Sequence, residues 1–188
     1  IDGSDHWFTP ELATLNQEKL GADIIMCLDQ CIAFGSSRDD VIKAMERTHS
    51  WARMCHDIHT KSSSGGLQAL FGIVQGGTFP ELREASAEYI TGIPFDGYAI
   101  GGLAVGESKS EMYQITSNVT EILPQDKPRY LMGVGSPEDL VEAIARGVDM
   151  CDCVLPTRVA RNGALFTSKG RINILNHRFS EMDEPLCD

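Results

Sequence analysis

Short apolar runs alternate with amphipathic stretches along the whole chain. Runs at 23–28, 70–74, 97–100, 129–134 and 150–155 are rich in Ile, Val, Leu and Phe and have the length of buried strands. Between them, apolar residues recur at helical spacing over 10–20, 39–59, 80–90, 109–122 and 137–145. Two of these helices carry strong start signals. Thr9-Pro10-Glu11 and Ser136-Pro137-Glu138 each put a capping hydroxyl before a proline at the first helical position and an early carboxylate. Gly21 and Gly147 sit where helix-ending glycines belong.

Repeated strand–helix units dictate an α/β fold with a parallel sheet and right-handed crossovers. An open doubly wound sheet and a (β/α)8 TIM barrel are the two closures. Polar residues or glycines follow nearly every strand: Asp29, Gln75-Gly76-Gly77, Gly101-Gly102 and Pro156-Thr157-Arg158. A barrel gathers functional groups from many strand ends onto one rim, whereas an open sheet concentrates them at one switch point. The reading is therefore a barrel, with residues 1–188 as one partial barrel domain. A complete barrel takes roughly 250 residues, so the first strands are expected to be missing. Residues 61–66, Lys-Ser-Ser-Ser-Gly-Gly, read as a flexible surface loop rather than a domain boundary.

Composition adds constraints. With 188 residues, 42% hydrophobic and 23% charged, the chain can bury a core of its own. No apolar run has membrane length, and the first residues lack the basic and apolar regions of a signal peptide, so a cytoplasmic protein is expected. The chain does not start with Met and is expected to begin inside a longer one. Six cysteines, four of them (27, 31, 151, 153) in or beside strand-like runs, read as reduced thiols. The net charge of −11 argues against nucleic-acid binding unless basic residues cluster locally.

Four segments could carry chemistry. Asp29 ends an apolar strand and reads either as a ligand-binding acid or as a loop or helix-capping one. Gln75 ends a second strand before two glycines, which suits a ligand approaching the backbone, or simply a tight turn. Residues 97–107, GYAIGGLAVGE, expose main-chain groups at a strand end, although a plain glycine-rich turn would look the same. Asp152 is read as lying inside an apolar strand, where a charge needs a purpose or an ionic partner such as Arg158 or Arg161. His49, Cys55, His56 and His59 read as the polar surface of a long helix rather than a metal site.

FGIVQGG at 71–77, GYAIGGLAVGE at 97–107, YLMGVGSPEDL at 130–140 and DCVLPTRVARNGALFT at 152–167 together resemble the tRNA-guanine transglycosylase (queuine tRNA-ribosyltransferase) family, bacterial type. The resemblance runs nearly end to end, and the family fold is a (β/α)8 barrel with a zinc-binding insertion. It implies exchange of the wobble guanine of certain tRNAs for a 7-deazaguanine. Asp152 would attack the ribose C1′ and form a covalent ribosyl-enzyme, as in a retaining glycosidase. Asp29 would accept from the base N1–H and exocyclic amine, while Gln75 and the Gly102 N–H would donate to O6. The backbone around Leu103 and Ala104 would meet the C7 substituent, with Glu107 supporting the loop and Tyr130 and Met132 packing near the base. Val105 limits room at C7 and Cys31 matches the bacterial pattern, so preQ1 is the expected base. Contacts to tRNA would come from Gly133, Val134, Gly135, Ser136, Pro137, Glu138 and Asp139, and from Thr157, Arg158, Val159, Ala160 and Arg161. Arginine's planar fork suits base edges and phosphates. In many relatives a lysine stands at the position of Ser136.

The family's general acid/base belongs to an N-terminal DSGGFQ motif that does not occur here. The resemblance places the structural zinc ligands, and much of the basic surface that grips tRNA, beyond Asp188; Cys187 is not assigned to zinc. It also implies a homodimer. Were residues 1–188 the whole molecule, it would be expected to be inactive. The rivals are a non-catalytic partner subunit, which the presence of Asp152, Asp29 and Gln75 opposes, and a metabolic barrel enzyme acting on a phosphorylated small molecule, which would need a phosphate loop near the last strands.

Overall fold

The structure is a computed structural model and describes residues 3–62, 67–183 and 185. Most of the serine–glycine segment at 63–66, and Cys187, lie outside the described residues. The chain divides into two compact units, residues 1–152 and 153–188.

The first unit is a run of strand–helix pairs. Its elements are α1 (Pro10–Leu20), β1 (Ile24–Met26), α2 (Arg38–Lys61), β2 (Ala69–Val74), α3 (Pro80–Thr91), β3 (Gly97–Ile100), α4 (Lys109–Ile122), β4 (Arg129–Leu131), α5 (Pro137–Ala145) and β5 (Met150–Cys151). All five strands are parallel and lie in the order 1-2-3-4-5. This order has no reversal. It is the order of a barrel segment, whereas a doubly wound sheet turns back at a switch point.

Local chemistry explains the element ends. Thr9, Ser37, Ser108 and Ser136 cap α1, α2, α4 and α5 through their hydroxyls, and prolines open α1, α3 and α5. α1 ends on left-handed Gly21, whose N–H bonds the Gln17 and Glu18 carbonyls.

Helices α2, α3 and α4 cover one face of the sheet. Leu70 and Val74 of β2 join Ala52 and Cys55 of α2, Ala87 and Ile90 of α3, and Ile115 and Val119 of α4 in the core. Phe71 and Ile73 point the other way and are also buried. Gly97 and Gly101 make room for them: a Cβ would come within 2.3 Å of the Phe71 ring and 2.8 Å of Ile73.

Three expectations change. The strands at 23–28, 129–134 and 150–155 are shorter than their apolar runs, ending at Met26, Leu131 and Cys151. Asp152 therefore stands just past β5 and is exposed, not inside a strand. The histidines of α2 are not a polar surface. His49 is buried, stacks on Tyr89 at 4.2 Å and bonds Ser86 at 3.0 Å, and buried His59 bridges Glu18 (2.8 Å) and the Gln68 carbonyl (2.9 Å). α2 packs against α1, β2 and α3, so much of its circumference is interior.

The second unit contains α6 (Leu155–Ala160), an antiparallel hairpin of β6 (Ala164–Thr167) and β7 (Gly170–Asn173), and a 3-10 turn at His177–Phe179. The sequence reading did not anticipate the hairpin. Among the described residues, no helix is long and apolar enough to cross a membrane.

Candidate active site

Because the five strands are parallel, their C-terminal ends share one edge of the sheet. Asp29 follows β1 by three residues, Gln75 directly follows β2, Gly101-Gly102 follow β3, Met132 follows β4 and Asp152 follows β5. The candidates drawn from four separate motifs thus converge on one rim of the first unit.

Asp29 and Gln75 are joined. The Gln75 amide donates to Asp29 Oδ2 at 2.6 Å, and Gln75 is buried. Burial pushes the Asp29 carboxyl up, and the Gln75 bond pulls it partly back. Gly102 lies close against this amide. A Cβ there would meet Gln75 Oε1 at 2.3 Å, and the residue has φ +67°. Only glycine satisfies both conditions without strain.

The loop after Gly102 is held from within. Glu107 accepts the N–H groups of Ala104 (2.5 Å) and Val105 (3.1 Å), and Ala104 has φ +59°. Leu103 turns into the core, while Ala104 and Val105 are exposed. Val105, Gly102 and Gly77 line a pocket of about 180 Å³ with Ile32, Phe34 and Phe79. Cys31, beside it in sequence, is exposed at the surface, and partial desolvation by its surroundings, with the Asp29 charge second, pushes its thiol up.

At the other end of the rim, Asp152 Oδ1 accepts two bonds, from the Tyr130 hydroxyl at 2.6 Å and from the Gly133 N–H at 2.7 Å. Gly133 has φ +75° and open space where a Cβ would stand. Burial, with the bond to Asp152 second, pushes the Tyr130 phenol up, so it donates as a neutral hydroxyl at any physiological pH. Both donors being neutral, Asp152 is oriented without being neutralised. Met132, between them in sequence, is half-buried.

The 133–139 segment is a helix entrance. Val134 is buried, Gly135 and Ser136 are half-buried, and Pro137 and Glu138 are exposed at the start of α5. Asp139 is buried. It accepts from Tyr113 (2.6 Å) and from the Ser136 N–H (2.9 Å) and hydroxyl (2.7 Å), and pairs with Lys109 (2.9 Å). Burial alone would raise this carboxyl, but the bonds from Lys109, Tyr113 and Ser136 win and hold it well below the usual carboxylate range.

In the second unit, Thr157, Arg158 and Ala160 are exposed on α6, Val159 is buried, and exposed Arg161 caps the helix. Among the described residues, Cys27, Cys31, Cys55 and Cys153 are free thiols. Among the described residues, no group of three or more His, Cys, Asp or Glu is placed to hold a metal ion.

One residue of the site went unnoticed in the sequence. Arg83 on α3 is fully buried behind the rim and bonds the carbonyls of Val74, Gly77, Gly101 and Gly102. Its signal was positional. It shares the stripe of Ala87 and Ile90, where an apolar residue is the norm.

Comparison with known proteins identifies a family. The profile of a family described as Queuine tRNA-ribosyltransferase matches residues 1–188. A protein of that name from Solidesulfovibrio magneticus is 52% identical over 99% of this chain and 49% of its own length. One from Herpetosiphon aurantiacus is 54% identical over 100% of this chain and 48% of its own. A third, from Desulforamulus reducens, is 49% identical over 100% and 50% respectively. The chain spans about half the length of these curated relatives.

Proposed function

The chain belongs to the queuine tRNA-ribosyltransferase family, and on that premise we propose that it is the catalytic part of a tRNA-guanine transglycosylase, with Asp152 as the nucleophile. The observation that carries this reading is the pair of neutral donors on one oxygen of Asp152, at the same strand-end rim as Asp29 and Gln75. A carboxylate fixed by one oxygen presents the other in a defined direction. That is what attack on an anomeric carbon demands.

The C1′–N9 bond breaks with its electron pair leaving on guanine, and a C1′–O bond to Asp152 forms. A second base, bound in the same pocket, then displaces the carboxylate and restores the glycosidic bond. The ionised carboxylate also stabilises the oxocarbenium-like charge between the two steps. The Asp29 carboxylate accepts the base N1–H and amine, and Gln75, with one N–H on Asp29, offers its second to O6. Val105 stands at the pocket that would take the C7 substituent, which favours the small aminomethyl group of preQ1 over queuine. The resemblance also assigns tRNA contacts to the entrance to α5 in the first unit and, separately, to Arg158 and Arg161 of the second unit, whose planar forks suit base edges and phosphates.

Further parts of the proposal lie outside this chain. They are a closed (β/α)8 barrel, a structural zinc whose ligands follow Asp188, a homodimer and a cytoplasmic setting with tRNA as substrate.

The test is exchange of labelled guanine into tRNA by the full-length protein. Asp152→Asn should abolish the covalent protein–RNA adduct on a denaturing gel. An adduct formed undiminished by that variant would refute the assignment.

A further inference from the structure

Arg83 is a buried cation without a bonded anion. It has no exposed surface, and its Nε donates to the Gly77 carbonyl (2.7 Å), Nη1 to those of Val74 (3.0 Å) and Gly101 (2.7 Å), and Nη2 to that of Gly102 (3.2 Å). Among the described residues, no carboxylate forms an ion pair with it. Burial lowers its pKa to about 10, so the charge persists at neutral pH. Such a charge is costly, and an apolar residue would fill this stripe of α3 more cheaply. The arrangement calls for a role beyond packing.

The role follows from peptide geometry. The Gly101 carbonyl and the Gly102 N–H belong to one planar trans unit and point in opposite directions. Anchoring that carbonyl on Arg83 turns the Gly102 N–H away from the guanidinium. A charge-assisted bond to the oxygen also withdraws electron density from the unit, making its N–H a stronger donor.

We propose that Arg83 is a positioning residue for base release, aiming and polarising the Gly102 N–H toward the purine O6. The inference rests on the reading of the site as a guanine pocket. When the C1′–N9 bond breaks, the pair left on N9 is shared through C4 and C5 with the C6 carbonyl, so negative charge reaches O6 until a proton neutralises the base. A fixed donor at O6 then acts as an oxyanion hole does in acyl transfer.

The experiment uses the full-length enzyme, with tRNA carrying either guanine or 6-thioguanine at the exchanged position, sulfur being a poor acceptor. Arg83→Lys keeps a charge but cannot span four carbonyls. It should slow single-turnover release of guanine by about 10- to 100-fold, somewhat less than outright loss of an oxyanion donor because the N–H remains. The KM for tRNA should stay within about twofold, and release of 6-thioguanine should slow by less than about threefold. Equal slowing for both bases, or a loss confined to KM, would overturn the proposal. Should the variant not fold, the wild-type enzyme decides. Guanine release at least about tenfold faster than 6-thioguanine release supports a directed O6 donor, and equal rates overturn it. Failure of the underlying reading is distinct, because wild-type protein would then release no guanine from tRNA, and this proposal would fall with it.

Discussion

Substituting Gly102 by alanine separates two effects that usually travel together. The added Cβ meets a backbone penalty, because φ is +67°, and a collision, because Gln75 Oε1 lies 2.3 Å from its ideal position. The first costs about 1–2 kcal/mol for a residue with a Cβ in the left-handed region. Gly21 provides its measure alone, with φ +72° and nothing within 4 Å of the added atom. The second forces the Gln75 amide to retreat by roughly 0.7 Å or more to reach even a tight contact near 3 Å. Gln75 is packed, at 2% exposure, so that retreat must strain or break its 2.6 Å bond to Asp29. A hydrogen bond to an ionised group is worth about 1.5–3 kcal/mol, or about a 10- to 100-fold change in base affinity. Gly21→Ala and Gly102→Ala should each lower Tm by up to a few degrees. Only Gly102→Ala should raise the KM for free base, by about 10- to 100-fold. The assays are thermal unfolding and steady-state guanine exchange by the full-length protein. Equal Tm losses with a KM for base unchanged within twofold would show that the glycine answers to the backbone alone, and the argument for a built pocket would fail.

Two more outcomes follow from the same geometry. Val105→Gly opens the pocket wall at residue 105 and should shift preference from preQ1 toward queuine by about 10-fold or more, the scale set by a few methylenes in a pocket; competition between the two bases measures it, and unchanged selectivity counts against Val105 as the limiting wall. His49 is lowered to about 4 by burial, whereas the unfolded residue titrates near 6.5. Between those values the unfolded state takes up a proton that the native state refuses, so stability falls as pH drops through the window and levels off below it. His49→Gln should therefore lose about 2 kcal/mol less than wild type between pH 7 and pH 5 in urea unfolding; parallel losses would rule out His49 as the titrating group.

The sequence by itself determined what depends on neighbours along the chain. The bounds of α4 at Lys109–Ile122 and of α5 at Pro137–Ala145 were readable because serine caps, early carboxylates and N1 prolines act within one turn. The alternation of strands and helices was readable from periodicity, Asp29, Gln75 and Gly102 were singled out by their places after apolar runs, and Asp152 by being a charge within one. Tertiary structure decided where a strand stops. Residues 150–155 are uniformly apolar apart from Asp152, yet β5 ends at Cys151 and Leu155 begins α6. A strand persists only while a neighbour offers hydrogen bonds, and β4 ends at Leu131, the partner of Cys151. That early stop is what leaves Asp152 exposed on the rim rather than buried in the sheet. The same holds for Arg83 and for the histidines of α2. Whether a helix side chain meets water, another helix or the carbonyl ends of two strands depends on segments tens of residues away, and no local pattern encodes their approach.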